Sequence, residues 1–157
     1  MTAQWRFSRG YVDNVASAIV LAVTMDEAKG RTYNVGEPGT LTELEWYEKS
    51  SRGVGWKGEI LVIPEVDLPE HLRRGTNLDQ HWVVDTSRIR EELGFHEIVS
   101  QDEGIARAIE WDRSNPPLQF DEERYGKLDY AADDAALEIL RARHPDRGLQ
   151  IYHARKA

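Results

Sequence analysis

The sequence predicts a small domain of mixed α/β class, rich in helices and with only short strands. The chain has 157 residues, 40% of them apolar and 31% charged, which is enough for one globular domain with a hydrophobic core. Helix caps recur along the chain, each before a run whose apolar residues repeat at helical spacing. Between these runs stand short stretches rich in β-branched and aromatic residues, which favour strands.

Five helices are predicted from their caps and stops. The first begins at Asp13 or Asn14, which can cap it, and runs to about Lys29, where Gly30 stops it. Its inward face is predicted from five apolar residues: Val15, Ala18, Ile19, Ala22 and Val23. The second opens with the capping box Thr42-x-x-Glu45 and ends near Arg52.

The remaining helices follow the same logic. Asp85-Thr-Ser87 caps a third helix, which Gly94 ends. The box Ser100-x-x-Glu103 opens a fourth, which Asn115-Pro-Pro117 ends. Its predicted inward residues are Ile105, Ala108, Ile109 and Trp111. A fifth covers 133–143, with acids first and Arg last to match the helix dipole, and with Ala136, Leu137, Ile139 and Leu140 as its apolar residues.

Three short strands are predicted at 31–35, 59–64 and 81–84, and residues 65–81 read as a long loop. Asn115-Pro-Pro117 also marks a change of composition. We therefore divide the chain into a lobe of residues 1–117 and a charged tail of residues 118–157 with one helix. Residues 144–157 have the composition of a weakly ordered end.

Composition excludes several classes of function. The net charge of -8 argues against nucleic-acid binding, which needs a basic face. No window approaches the roughly 18 apolar residues of a membrane helix. Without cysteine there is no disulfide or thiolate chemistry, and the five histidines lack the close spacing of a metal site. A cytoplasmic location is expected by default.

Two local motifs match sequence patterns that occur in the cofactor-binding and catalytic sites of dehydrogenases. Gly53-Val-Gly-Trp-Lys-Gly58 matches G-x-G-x-x-G, but a predicted helix precedes it and a strand follows, which is the reverse of a dinucleotide site. We interpret these glycines as a helix stop and a turn. Tyr152-x-x-x-Lys156 matches the spacing of a catalytic Tyr/Lys pair, but it stands in the last six residues, so coincidence is the better interpretation.

The order of four segments carries a family resemblance. In chain order they are RGYVDNVASAIVLAV, GRTYNVGEPGTLTELEW, VVDTSRIREELGF and DEGIARAIEWDRSNPP, within residues 5–117. This order resembles the C-terminal third of extended short-chain dehydrogenase/reductases, the NAD-dependent epimerase/dehydratase family. The resemblance implies a substrate-binding lobe that lacks the N-terminal Rossmann half, with its glycine-rich loop and its catalytic Tyr-x-x-x-Lys helix.

The resemblance also implies site residues. In the family, an Arg before the Tyr-Val segment helps to hold the nucleotide-sugar diphosphate, and Arg9 is the matching position. The alternative for Arg9 is a surface ion pair. An Arg and an acidic residue before the third helix contact phosphate and ribose in the family, and Arg73 or Arg74 with Asp79 resembles that arrangement. No residue of this chain is expected to be catalytic.

These implications leave alternatives open. The first function is the substrate-binding portion of an NAD- or NADP-dependent nucleotide-sugar epimerase or dehydratase, inactive by itself and binding no cofactor alone. The second is a non-catalytic module that associates with itself, most simply as a homodimer, or with a partner. The third is an unrelated α/β enzyme that uses local carboxylates, for which no convergent acid/base motif is visible.

Overall fold

The computed structural model describes residues 2–70, 73, 80–116, 129–143 and 151–153. Within these residues the chain forms the five helices α1 (Val12–Thr24), α2 (Glu43–Val54), α3 (Ser87–Leu93), α4 (Gln101–Ser114) and α5 (Tyr130–Arg143). The strands β1 (Glu59–Leu61) and β2 (Ile151–His153) pair antiparallel, with Glu59 opposite His153. Short 3₁₀ turns occupy Thr2–Gln4, Asp26–Ala28 and Glu65–Asp67. The predicted helix-rich fold is confirmed, whereas the β component is smaller than a mixed α/β class implies.

The helix caps follow the sequence closely. The hydroxyl of Thr42 accepts from the backbone N–H of Glu45 (3.1 Å), and the Thr42 N–H donates to the Glu45 carboxylate (2.7 Å), so the predicted capping box opens α2. Ser100 likewise accepts from the N–H of Glu103 at the start of α4. Gly94 ends α3 in the left-handed conformation, with φ of 65°, which a glycine adopts without strain.

The start of α1 corrects the sequence prediction. Residue Tyr11 precedes the helix and makes no side-chain capping bond, so neither Asp13 nor Asn14 is the cap. Asn14 is instead buried, with 1% of its surface exposed. Its amide donates to the carbonyl of Val99 (2.8 Å) and its carbonyl oxygen accepts from the N–H groups of Ile98 (3.0 Å) and Val99 (2.9 Å). The side chain therefore satisfies backbone far away along the chain rather than the end of its own helix.

The strand predictions were mostly wrong. Residues 31–35 form no strand, because their described neighbours are the α3 helix and the stretch before it, which offer no strand edge. The contacts are made by side chains: the Tyr33 hydroxyl donates a hydrogen bond to Glu92, and the Asn34 amide donates one to the Asp85 carbonyl. Only Glu59–Leu61 of the predicted 59–64 is a strand. In 81–84 a single bridge joins Trp82 to Phe7. High β propensity describes a side chain's fit to a sheet and cannot supply a partner strand.

The main core lies where α1 packs against α3. Its buried members are Ala18, Ala28, Ile89, Leu93 and Phe95, with Leu21, Ala22, Met25, Tyr33 and Val35 packed against them. The α1 face that meets this core is turned from the predicted one. Ile19 and Val23 were predicted to point inward and are 57% and 75% exposed, and Trp111 of α4 is 64% exposed, which corrects its predicted inward orientation. Each described helix is too short or too polar to cross a lipid bilayer.

The tail helix lies against the lobe. Helix α5 extends the predicted 133–143 by three residues at its start, and Ala132, Ala136 and Leu140 are buried along one face. Arg143 at its end pairs with the buried carboxylate of Asp67 at 2.6 Å, which joins α5 to the 3₁₀ turn Glu65–Asp67. Strand β2 lies within the tail and pairs with β1, so the expectation of a weakly ordered end does not hold for residues 151–153.

The three hydrogen bonds of Asn14 predict its contribution to stability. We expect Asn14→Ala to lower the free energy of unfolding by about 2–4 kcal/mol, because it leaves three backbone groups without partners, two of them at the buried Val99. Asn34→Ala is the matched control: Asn34 is exposed and makes one bond of 3.2 Å, so we expect a loss below about 1 kcal/mol. Urea unfolding followed by circular dichroism measures both. Equal losses for the two variants would contradict this role for Asn14.

Candidate functional site

A cavity of about 540 Å³ lies between α2, α4 and the segment that leads into α1. We call it the α2–α4 cavity. Its walls are mainly apolar, and polar side chains stand at its margin. The lining residues include polar and aromatic side chains as well as aliphatic ones: Arg9, Tyr11, Glu37, Trp46, Val54, Ile105, Ile109 and Asp112. This volume falls in the range of pockets that hold small organic ligands.

Two glycines allow the walls to meet. A Cβ at Gly53 of α2 would lie 2.4 Å from Cδ1 of Ile109, so a side chain at this position would require the end of the Ile109 side chain to move. A Cβ at Gly104 of α4 would lie 3.0 Å from the ring of Tyr11. The shape of the cavity therefore depends on these glycines, and the half-buried Ile105 and Ile109 line it rather than filling a closed core.

The predicted phosphate-binding residue, Arg9, lies at the margin of this cavity. Its guanidinium carbon stands 3.6 Å from the ring centre of Phe7 and 4.3 Å from that of Trp46. Its Nη2 donates to Oε1 of Glu43 at 2.8 Å, and the two side chains are 17% and 11% exposed. The structure therefore shows Arg9 in an ion pair, which was the alternative to phosphate binding, and this pair is largely shielded from water and lies against aromatic rings.

Backbone bonds hold the segment that carries Arg9. The N–H of Glu43 donates to the carbonyl of Trp5 (2.8 Å), and the N–H of Ser8 donates to the carbonyl of Trp82 (3.0 Å). The segment is thereby fixed between the start of α2 and residues 80–84. The carbonyl of Arg9 accepts from the N–H of Glu37 at 2.9 Å, which brings a second carboxylate to the margin of the cavity.

Glu37 is held from two sides. Its Oε1 accepts from the backbone N–H of Tyr11 (2.9 Å) and its Oε2 accepts from Nε2 of Gln101 (3.3 Å). These bonds join the 36–39 turn to the entry of α1 and to the first residue of α4. The carboxylate of Glu37 is therefore a fixed part of the cavity margin.

An ion pair outside the cavity supports this turn. Arg90 of α3 pairs with both carboxylate oxygens of Glu97, at 2.5 and 3.1 Å, and it also donates to the carbonyl of Gly36 at 3.1 Å. The hydrogen bonds from Arg90 hold the pKa of the Glu97 carboxyl below its ordinary value. Gly36 directly precedes Glu37 in the chain. The Arg90–Glu97 ion pair therefore anchors the turn that carries Glu37, a lining residue of the cavity.

The other predicted ligands are Arg73 or Arg74 together with Asp79. Arg74 and Asp79 lie outside the described residues. Arg73 is described, and its guanidinium turns back to the carbonyls of Leu68 (3.0 Å) and Val66 (3.4 Å). The sequence analysis missed Glu37, Glu43, Trp46 and Gln101. Glu43 looks like an ordinary first-turn acid and Trp46 like a core aromatic, so only the resemblance at Arg9 gave a signal.

The glycine motif at 53–58 does not fit a nicotinamide dinucleotide. As predicted, a helix precedes the turn and a strand follows it: Gly53 lies in the last turn of α2, Gly55 ends the helix with φ of 76°, and β1 comes next. The ring of Trp56 covers Gly58, where a Cβ would lie 2.0 Å from it, so this stretch offers no cradle for a pyrophosphate. Tyr152 lies in β2 rather than on a helix, and Lys156 lies outside the described residues. In the described part of the chain no group of acidic or histidine side chains is arranged to hold a metal ion.

The chain is similar in sequence to curated dTDP-glucose 4,6-dehydratases. It is 31% identical over 122 residues to a dTDP-glucose 4,6-dehydratase of Streptomyces niveus, which covers 74% of this chain and 33% of that protein. It is also 31% identical over 103 residues to a dTDP-glucose 4,6-dehydratase of Streptomyces griseus, which covers 64% and 28%. No family model and no solved structure matches the chain.

The chain therefore belongs to the NAD-dependent epimerase/dehydratase family, as the order of its four segments predicted. The particular proteins that the chain resembles are dTDP-glucose 4,6-dehydratases, and it spans about a third of the length of these curated relatives.

The lowered pKa of Glu97 predicts a pH-dependent contribution to stability. A carboxyl whose pKa is lower in the folded state stabilises the fold above its unfolded pKa of about 4.3, and loses this contribution as the pH falls through the folded value. We expect Glu97→Gln to lower the free energy of unfolding by about 1–2 kcal/mol at pH 7 and by progressively less as the pH falls below about 4.

Denaturant unfolding at a series of pH values measures this effect. Glu91→Gln removes an exposed carboxylate from α3 and serves as the control, with an expected change within about 0.5 kcal/mol. A loss for Glu97→Gln that is as large at pH 3 as at pH 7 would show that the ion pair is not its cause.

Proposed function

We propose that this chain is the C-terminal, substrate-binding portion of a nucleotide-sugar dehydratase-like protein, and that it does not catalyse a reaction by itself. One observation carries the proposal: most of the chain is similar in sequence to dTDP-glucose 4,6-dehydratases, while it spans only about a third of their length. A portion of such an enzyme needs to recognise the substrate even where the reaction depends on other parts.

The chemistry of the α2–α4 cavity supports substrate recognition. A nucleoside diphosphate sugar presents an anionic diphosphate and less polar rings. Arg9 supplies a planar guanidinium suited to two phosphate oxygens, and the apolar walls of the cavity suit the rings. Because Phe7 and Trp46 stack on the guanidinium, its orientation is fixed before a ligand arrives.

The cofactor belongs to another part of the proposed protein. The family uses NAD or NADP, which removes a hydride from a sugar carbon when bound. The described residues of this chain offer no cradle for the dinucleotide, as the covered Gly58 illustrates. We therefore expect this chain to bind and orient the substrate and to contribute no acid or base to the reacting carbon.

Binding of dTDP-glucose tests the proposal. We expect the chain to bind dTDP-glucose, and Arg9→Gln to weaken the affinity by roughly 10- to 100-fold, the value of a charge-assisted bidentate contact. Arg6→Gln is the matched control. Arg6 stands on the same segment and pairs with Glu45 at 3.6 Å, outside the cavity lining, so we expect a change of less than about two-fold. Isothermal titration calorimetry measures all three proteins.

Two outcomes would contradict the proposal. Equal affinities for the wild-type chain and Arg9→Gln would remove the assigned site. Consumption of dTDP-glucose by the isolated chain with added NAD, followed by chromatography, would show that the chain catalyses the reaction without further parts.

A second candidate function is self-association, which the outer face of α1 favours. In the described part of the chain this face is apolar and exposed: Val12 is 67% exposed, Ile19 and Val20 57% each, and Val23 75%. The charged residue of α1, Asp13, lies at the edge of this face and is paired with Arg107 at 3.4 Å, so two copies with a net charge of -8 can meet there along a shared two-fold axis. The occupant that we propose for this face is therefore a second copy of the chain.

Sedimentation velocity tests self-association. We expect dimers of the wild-type chain at micromolar concentration, and monomers for Val23→Glu, because a buried carboxylate without a partner is costly. Ala135→Glu places the same charge on an exposed position of α5 and should leave the dimer intact. A monomeric wild-type chain would rule this function out.

A further inference from the structure

We infer that Glu43 competes with the diphosphate of the substrate for the guanidinium of Arg9, and thereby sets the affinity of the α2–α4 cavity for anionic ligands. The inference rests on the proposed function, since it takes a diphosphate to be the group that Arg9 binds. It adds a residue that the family resemblance does not assign.

The faces of the Arg9 guanidinium are covered. The ring of Phe7 lies 3.6 Å from the guanidinium carbon and the ring of Trp46 lies 4.3 Å from it. Phosphate oxygens bind guanidinium N–H groups in the plane of the group, so a ligand can approach only along an edge. The number of edges that remain open therefore determines whether Arg9 can hold a diphosphate.

Glu43 takes one of these edges. Its Oε1 lies 2.8 Å from Nη2 of Arg9, and only 17% of the Arg9 side chain and 11% of the Glu43 side chain are exposed. The ion pair is thus largely shielded from water, where a hydrogen bond between opposite charges is stronger than at the surface. A diphosphate that needs two adjacent N–H groups meets a guanidinium that already has an anionic partner.

The charges around Arg9 oppose a second anion. Glu37 lines the same cavity as Arg9, so an anionic ligand there meets a second carboxylate besides the Glu43 carboxylate that pairs with Arg9. Glu37 is fixed by the N–H of Tyr11 and the amide of Gln101. The described contact of the Glu43 carboxylate is the one with Arg9, which makes Glu43 the carboxylate that can be exchanged for a ligand.

Binding of a diphosphate therefore has a built-in cost. If Arg9 turns to the ligand, the buried Glu43 carboxylate loses its counter-ion, and if it does not, two anions share one cation. Removing the charge of Glu43 while keeping its hydrogen-bond acceptor removes both costs. The affinity of the cavity for an anionic ligand should then rise, even though the altered residue, Glu43, contacts the Arg9 guanidinium that binds the ligand.

Glu43→Gln tests the inference. We expect this variant to bind dTDP-glucose roughly ten-fold more tightly than the wild-type chain, an effect typical of removing one like charge beside an ionic site. Its affinity for thymidine, an uncharged probe, should not change. Glu45→Gln removes a carboxylate two residues along α2 that pairs with Arg6, and it keeps the capping acceptor, so it controls for net charge and should leave the affinity for dTDP-glucose within about two-fold.

The outcomes separate this inference from the proposed function. If Arg9→Gln weakens binding of dTDP-glucose while Glu43→Gln leaves it unchanged or weaker, the competition is refuted and the proposed function stands. If neither the wild-type chain nor Glu43→Gln binds dTDP-glucose, the proposed function fails, and the inference fails with it. An equal gain for thymidine and dTDP-glucose would point to a change of cavity shape and would also overturn the competition.

A second measurement does not depend on the variant being folded. In the wild-type chain labelled with ¹³C, the carboxyl carbon of Glu43 should shift when dTDP-glucose saturates the site, because its ion pair with Arg9 is exchanged or shared. An unchanged Glu43 signal at saturation would show that the ligand binds without disturbing the pair, which would overturn the inference.

Discussion

The buried amide of Asn14 is the contact on which the geometry of the cavity depends. It joins the first turn of α1 to the backbone at Ile98 and Val99, immediately before the cap of α4. This contact sets the position at which α4 begins, and Gly104 then lies against the ring of Tyr11. The wall that α4 gives to the cavity thus follows from a polar group placed in an otherwise apolar interior, where its three hydrogen bonds specify one arrangement.

The electrostatics of the cavity are local. A chain with a net charge of -8 repels anionic ligands at long range, and this repulsion is screened beyond about 10 Å at ordinary salt. Attraction must then come from a cation close to the ligand and shielded from water. Arg9 meets this requirement, but the same shielding forces it to carry a counter-ion when no ligand is bound. A buried guanidinium in an acidic protein is therefore paired in its resting state.

The parts of the fold that the sequence predicted depend on local chemistry. The box of Thr42 and Glu45 and the stop at Gly94 act within a few residues, so the chain order alone reveals them. The failures involve distant partners. Asn14 is of a residue type that commonly caps helices, and only the proximity of Val99 in the fold explains why its side chain is buried. Residues 31–35 have strand propensity, but none of the described strands lies beside them. The position of Arg9 was available from the family resemblance, whereas Glu43 as its counter-ion required the fold.

At the start of α2, the acidic residues that stabilise the helix also oppose the binding of an external anion. Carboxylates in the first turn stabilise a helix, because its N-terminus carries a partial positive charge that also attracts external anions. Glu43 and Glu45 are two residues apart and point about 200° apart around the axis, so one faces the buried Arg9 and the other the exposed Arg6. The helix end is thus occupied by its own acids. Among the lining residues that the structure describes, Arg9 is the cation that an anion at the cavity can bind, and the affinity depends on how firmly that guanidinium is held by its internal partner.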